Sequence, residues 1–307
     1  MSGTALVIGE ALVDVVVRAD GTTAEHPGGS PANVAIGLGR LDRDVSLLTH
    51  LAVDARGQDV ARHLEASHVR LAPGSLDADH TSVATATLDA TGAATYVFDL
   101  EWALPAPEVT AAHPLVVHTG SVAAVLAPGA SAVRDHVQAH REHATVTYDP
   151  NARPTLMGDP ADARAAIEAM VALADVVKVS DEDLEWIARD GETVEDVAAG
   201  WLEHGPALVV VTRGGEGATA LAPAGRIDVA ALPVTVADTV GAGDSFMSGL
   251  IDGLWTEELL GADRRQQLRA IDADTLTRVL ERCIRIAAIT VSRAGANPPT
   301  TAELATA

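Results

Sequence analysis

Asp238-Thr239-Val240-Gly241-Ala242-Gly243-Asp244-Ser245-Phe246-Met247-Ser248-Gly249 is a glycine-rich turn that runs into small and apolar residues. Gly241 and Gly243 let the backbone approach a ligand closely. The run that follows predicts a helix over 243–253, with 241–244 at its N-terminus. The first N–H groups of a helix have no internal acceptor and carry partial positive charge. Such a terminus suits a phosphoryl group whose charge shifts during transfer. Asp244 stands beside it. From this stretch alone two readings are open: the carboxylate complements the helix dipole, or it takes a proton from an attacking hydroxyl.

Upstream, short β-branched runs alternate with longer Ala-rich segments of helical spacing. Strands are expected at 5–8, 45–48, 115–118, 145–148, 175–179 and 208–212. Helices are expected at 32–41, 57–66, 130–143, 160–173 and 193–204, and a last one at 274–290. This alternation argues for a mostly parallel sheet wrapped on both faces. The 307 residues are 48% apolar but only 3% aromatic, so Ala, Val and Leu must fill the core. One region breaks the pattern. Segments 81–88 and 93–100 read as strands joined by a turn at 89–92, with 13–18 as a further strand. They form either a small β lid, about 13–26 and 80–104 of a single 1–307 domain, or an antiparallel edge of the main sheet.

The formal charge is −22. That field repels nucleic acid and anionic membrane surfaces, which are therefore excluded as partners. It repels ATP and sugar acids too, so anion binding needs a local positive element. The one cysteine, Cys283, allows no internal disulfide. With no basic-then-apolar leader and no long apolar span, the chain is read as cytoplasmic. Lys178 is the only lysine. Without a Gly-x-x-x-x-Gly-Lys-Ser/Thr stretch, a Walker-type NTPase is excluded. The protein-kinase motifs are missing as well. His136, His140 and His143 share a helical face, read as solvated rather than metal-binding.

A second glycine-rich turn opens a helix near the N-terminus: Gly28-Gly29-Ser30-Pro31-Ala32-Asn33-Val34-Ala35. Asn33 offers donor and acceptor to a hydroxylated ligand, and Asp14, beyond the first strand, can accept from two hydroxyls. Together, 28–35 and 238–244 resemble the two signatures of the phosphofructokinase-B, or ribokinase-like, family of carbohydrate kinases. The second is the more specific, and the resemblance covers essentially the whole chain. It implies a three-layer α/β/α fold with a small β lid, and in-line phosphoryl transfer from ATP with Mg²⁺. Asp244 is then the base, Gly241, Ala242 and Gly243 form the anion hole, and Asp14, Gly28, Gly29 and Asn33 bind sugar.

The same resemblance makes Thr212, Gly214 and Gly217 a nucleotide loop, although in isolation they read as a β-turn. Lys178-Val179-Ser180-Asp181-Glu182-Asp183 is similar to the family's Asn-x-x-Glu segment near metal and phosphates, with Ser180 and Asp183 in the Asn and Glu positions. Ser180 is equally a helix N-cap. Asp149-Pro150-Asn151-Ala152-Arg153 is similar to a stretch of the fructokinase and 2-keto-3-deoxygluconate kinase branches. It places Asn151 near nucleotide and makes Arg153 the fixed cation of the site, unless a surface carboxylate holds it. A monovalent cation such as K⁺ is implied beside Asp238, the Val240 carbonyl and loop 293–297. Fructose is the first expectation for the acceptor, from 149–153 and Gly9-Glu10-Ala11-Leu12-Val13-Asp14. The alternatives are 2-keto-3-deoxygluconate, ribose or a nucleoside. Tyr96 and Trp102 are the aromatics placed to stack on a base, and acidic Phe98-Asp99-Leu100-Glu101-Trp102 favours a neutral substrate. A homodimer through the lid is expected. A sugar-binding module without catalysis is the reading of a different class, against which Asp244 and the intact 241–243 stretch argue.

Overall fold

The computed structural model describes residues 3–89, 94–107 and 113–306. Among them the strands, in chain order, are β1 Ala5–Ile8, β2 Leu12–Val17, β3 Thr23–Gly28, β4 Val45–Leu48, β5 Val69–Leu71, β6 Val83–Leu88, β7 Ala94–Asp99, β8 Val116–Gly120, β9 Thr145–Asp149, β10 Val176–Ser180, β11 Leu208–Thr212, β12 Ala218–Ala222 and β13 Gly225–Val229. Nine form one sheet in the order β13-β12-β11-β10-β9-β8-β1-β4-β5. It is parallel from β11 to β5, and β12 and β13 close one edge antiparallel. The expected mostly parallel α/β sheet is therefore present.

Alternation along the strands divides the core in two. Val7, Val116, Val176, Leu208 and Val210 join one apolar cluster, while Ile8, Val117, Val177, Val209 and Val211 join the other. Side chains two apart share a face, so a sheet covered on both faces needs apolar residues at every position. Helices Ser30–Arg40, Ala242–Thr256 and Ala273–Val291 cover the first face; Gly129–His140, Pro160–Val171 and Val194–Glu203 cover the second.

The remaining four strands pair as β3-β2-β6-β7, a separate sheet. The lid-or-edge alternative thus resolves in favour of a second sheet. β3 is unexpected as a strand, since Glu25-His26-Pro27 is a poor strand sequence and Pro cannot donate in a ladder. At the edge of a small sheet it is tolerated. Of the turn expected at 89–92, residues 90–92 lie outside the described residues.

Packing fixes the helix that carries the 238–249 stretch. Helix Ala273–Val291 starts at Asp272, whose side chain accepts from the Thr275 amide at 2.8 Å. It buries Leu276, Val279, Leu280, Cys283 and Ile286 at helical spacing. Asp252, 1% exposed, accepts from Arg43 at 2.7 Å and from Arg282 at 2.6 Å. Leaving the buried Asp252 without either arginine would cost about 3–5 kcal/mol, so the two ion pairs hold helix Ala242–Thr256 against both neighbours.

Candidate active site

The chain reverses at the C-terminal ends of the parallel strands, where ligands bind in open α/β sheets. Glu10 follows β1, Ser121 follows β8, Asn151 and Arg153 follow β9, and Ser180 and Thr212 end β10 and β11. A cavity of about 620 Å³ opens there. Asp14, Gly29, Asn33, Asn151, Arg153, Gly241, Ala242, Gly243 and Asp244 all line it. Ala84, Tyr96, Phe98 and Leu100 of the second sheet and its exit complete the wall.

The two glycine-rich stretches meet at Asp244. Ser30 Oγ donates to Asp244 Oδ1 at 2.7 Å, and Asn33 Nδ2 donates to Oδ2 at 2.8 Å. Burial pushes the Asp244 carboxyl above its ordinary range; Ser30, Asn33, Lys178 and Arg153 pull it part of the way back. An oriented carboxylate with a raised pKa suits a general base better than a surface cap. Sequence alone does not single out Ser30. Its signal is its place at the first turn of a helix whose N-cap, Gly29, has no capping side chain.

Gly241 is the N-cap of helix Ala242–Thr256 and adopts the left-handed conformation at φ 74°, which an L side chain resists. The Ala242 amide donates to the Thr239 carbonyl at 3.2 Å. Gly243 and Asp244 carry first-turn amides without an intrahelical acceptor. Gly243 and Asp244 therefore present the helix N-terminal amides to the cavity beside Gly241 and Ala242. Gly28 lies outside the lining and makes space instead: a Cβ there would come within 2.0 Å of Asp14 Oδ2. Asp14 sits on β2 opposite His26. Desolvation raises its pKa, against the pull of His26 and Arg153.

Among the described residues Arg153 forms no ion pair with a surface carboxylate. Its guanidinium donates to Asn151 Oδ1 at 2.8 Å and to the Ala152 carbonyl at 2.9 Å. Those acceptors are neutral, so its charge is available to an anion. The turn that carries it is pinned twice, because Asp149 Oδ1 accepts from the Asn151 amide at 3.2 Å and Asp183 Oδ1 from the Ala152 amide at 3.0 Å.

The other expected residues lie outside the cavity lining. Ser180 caps helix Asp181–Ile187, accepting from the Asp183 amide at 3.0 Å. Thr212 is its register partner on β11 and opens the turn holding Gly214 and Gly217. Asp238 braces two loops, accepting from Val240 at 3.0 Å and from Gly295 at 2.9 Å. The Asp183 carboxylate, whose Oδ1 accepts from the Ala152 amide, has the oxygen chemistry that a hard cation such as Mg²⁺ takes. Among the described residues no group of three or more His, Cys, Asp or Glu forms a metal cage.

Three expectations are corrected. His136 and His140 are buried rather than solvated; the His136 ring nitrogen Nε2 lies 2.9 Å from the Pro105 carbonyl. Trp102 is also buried, donating to the Ala123 carbonyl at 3.0 Å, and cannot stack on a substrate. Asp99 and Glu101 hydrogen-bond around His80 and Asp79, while the alternate residues Phe98 and Leu100 line the cavity. The acidic character facing substrate comes from Asp14, Glu10 and Asp244 instead. Glu10 is the second residue that sequence reasoning misses: burial raises its pKa to about 7, with Ser121 and Arg153 opposing.

Residues 3–303 match the model described as pfkB family carbohydrate kinase. A fructokinase from Rhizobium leguminosarum bv. trifolii is 34% identical over 282 residues, covering 88% of this chain and 85% of that protein. The crystal structure of a fructokinase from Xylella fastidiosa with bound ATP superposes with a TM-score of 0.84 at 22% identity, over 100% of this chain and 98% of that one. A double mutant of a Vibrio cholerae O395 fructokinase, with fructose, ADP and potassium bound, gives 0.81 at 24% identity, over 99% and 98%.

Proposed function

The chain belongs to the pfkB family of carbohydrate kinases, and from that premise we propose that it transfers the γ-phosphate of ATP to a hydroxyl of fructose with Asp244 as base. The observation that carries this reading is the pair of hydrogen bonds from Ser30 and Asn33 to Asp244, inside a cavity that also holds Arg153 and the helix N-terminus. Asp14 and the Asn33 carbonyl orient the sugar. Asp244 takes the proton of the attacking hydroxyl, and the Gly243 and Asp244 amides with Arg153 receive the charge of the transferring group. Mg²⁺, when bound, neutralises the triphosphate; Asp183 is the carboxylate for it. Thr212, Gly214 and Gly217 stand at the nucleotide end. The second sheet acts as a lid that excludes water.

Acceptance of a neutral sugar is supported by Asp14, Glu10 and Asp244 in the lining, and fructose by the 34% identical fructokinase. Asp238 and the loop at Gly295 would seat a monovalent cation. A second copy would pair at the lid, where Tyr96 and Val97 are exposed. Among the described residues no helix is long and apolar enough to cross a membrane; we assign the enzyme to the cytoplasm. One observation favours a second reading: Tyr96 and Phe98, with ring centroids 6.0 Å apart, present an aromatic wall to the cavity suited to a riboside. ADP release from MgATP with fructose, ribose, 2-keto-3-deoxygluconate, adenosine and inosine decides. Preference for fructose is expected; preference for adenosine or inosine transfers the acceptor to the riboside, and ADP release with none of them overturns the sugar assignment.

A further inference from the structure

Behind the anion-binding turn lies a buried ion pair that the transfer step above does not use. Lys178 Nζ donates to Asp149 Oδ2 at 2.9 Å, and the two side chains are 4% and 1% exposed. A Cβ on Gly243 would stand 3.0 Å from Nζ, so the ammonium packs directly against the turn that holds the phosphoryl group. The other oxygen of Asp149 fixes the Asn151 amide, and Asn151 holds Arg153. One pair therefore touches both positive elements of the site.

We propose that the Lys178–Asp149 pair is a positioning element for phosphoryl transfer. It sets the Gly243 turn and Arg153 at a fixed separation and keeps one immobile positive charge behind the transferring group. The inference rests on the kinase reading above. Stability alone does not account for the pair, since a buried ion pair is commonly replaceable by apolar residues of similar volume without loss. Burial opposes the ammonium charge, but Asp149, Asp183 and Asp244 together hold Lys178 above its ordinary range. The cation is thus permanent, in a chain of net charge −22 with no other lysine.

The test begins with wild-type protein, MgATP and the sugar panel, because silence there indicts the kinase reading and not the pair. Lys178→Met alone leaves Asp149 buried and unpaired, which destabilises the fold. The informative variant is Lys178→Met with Asp149→Leu, which removes both charges. We expect its melting temperature near or above wild type, KM for sugar little changed, and kcat lower by on the order of a hundredfold. A double variant with wild-type melting and wild-type kcat overturns the proposal. Should that variant not fold, wild-type protein decides: with a single lysine, [¹⁵N]lysine labelling gives one ammonium resonance. MgADP with aluminium fluoride, a mimic of the transferring group, should shift it; an unmoved resonance overturns the proposal.

Discussion

The nine-stranded sheet and the four-stranded sheet both contribute to one cavity, yet they are built on different terms. In β8 and β9 every residue is buried, and β11 is buried up to Thr212. The groups proposed for catalysis and anion binding stand on turns that leave those strands or on the helix packed against them. The smaller sheet supplies Asp14, Ala84, Tyr96 and Phe98, but Tyr96 and Val97 are 59% and 64% exposed. Its β2 and β6 bury Val13, Val15 and Val83 in a core cluster shared with the large sheet, while β7 forms its exposed edge. On the proposed reading the difference separates two requirements of a kinase: a rigid frame for the reacting atoms, and a wall that closes over the sugar.

That contrast can be broken or sharpened by substitution. The largest effect belongs to the frame's reacting group. Asp244→Asn should lower kcat by on the order of 10³-fold while sugar still binds and thermal melting stays put; near-normal turnover would remove Asp244 from its role. On the wall, Asp14→Ala should raise KM for sugar by about tenfold to a hundredfold, the loss of one or two hydrogen bonds to a charged group, with a smaller change in kcat. If kcat falls instead, Asp14 belongs functionally to the frame. Stability should divide along the same line. Val177→Ala, in the core between two layers, should cost about 2 kcal/mol in urea unfolding, and Tyr96→Ala within about 0.5 kcal/mol. Equal losses would show that the smaller sheet is as integral as the large one.

The smallest effect is a displacement of the pH profile. Asp244 must be ionised to accept a proton, so the rate falls as pH drops through its pKa, which burial holds above the usual aspartate range. The Ser30 hydrogen bond favours the charged form. Ser30→Ala should therefore move the acidic limb of kcat/KM to higher pH, and a limb that stays or moves lower contradicts the role given to Ser30.

How much of this is legible in the sequence follows the range of the interactions. Six of the seven parallel strands and the helices that cover them are readable because their apolar runs and helical spacing are local; β5, only three residues long, offers no run to read. β12 and β13 are not: Ala218–Ala222 and Gly225–Val229 are built largely from small or charged residues, and their pairing comes from the hairpin with β11. The Asp244 site is readable because two glycine-rich turns announce themselves. The partners of each turn are hidden. Ser30 and Asp244 are 214 positions apart, and Lys178 meets Asp149 across 29 positions only because β9 and β10 are parallel neighbours in one particular register. Glu10 escapes notice since a lone carboxylate after a strand carries no pattern.

The solitary lysine has one more consequence. Its ammonium, on a residue 3% exposed at the centre of the large sheet, is closed to solvent in the folded chain. A lysine-specific endoprotease therefore has a single side-chain target, and reaches it only when β9 and β10 part. The appearance of one cut after Lys178 would count openings of the catalytic frame without any engineered reporter, and bound ligands that slow it would reveal how firmly substrates clamp the sheet they rest on.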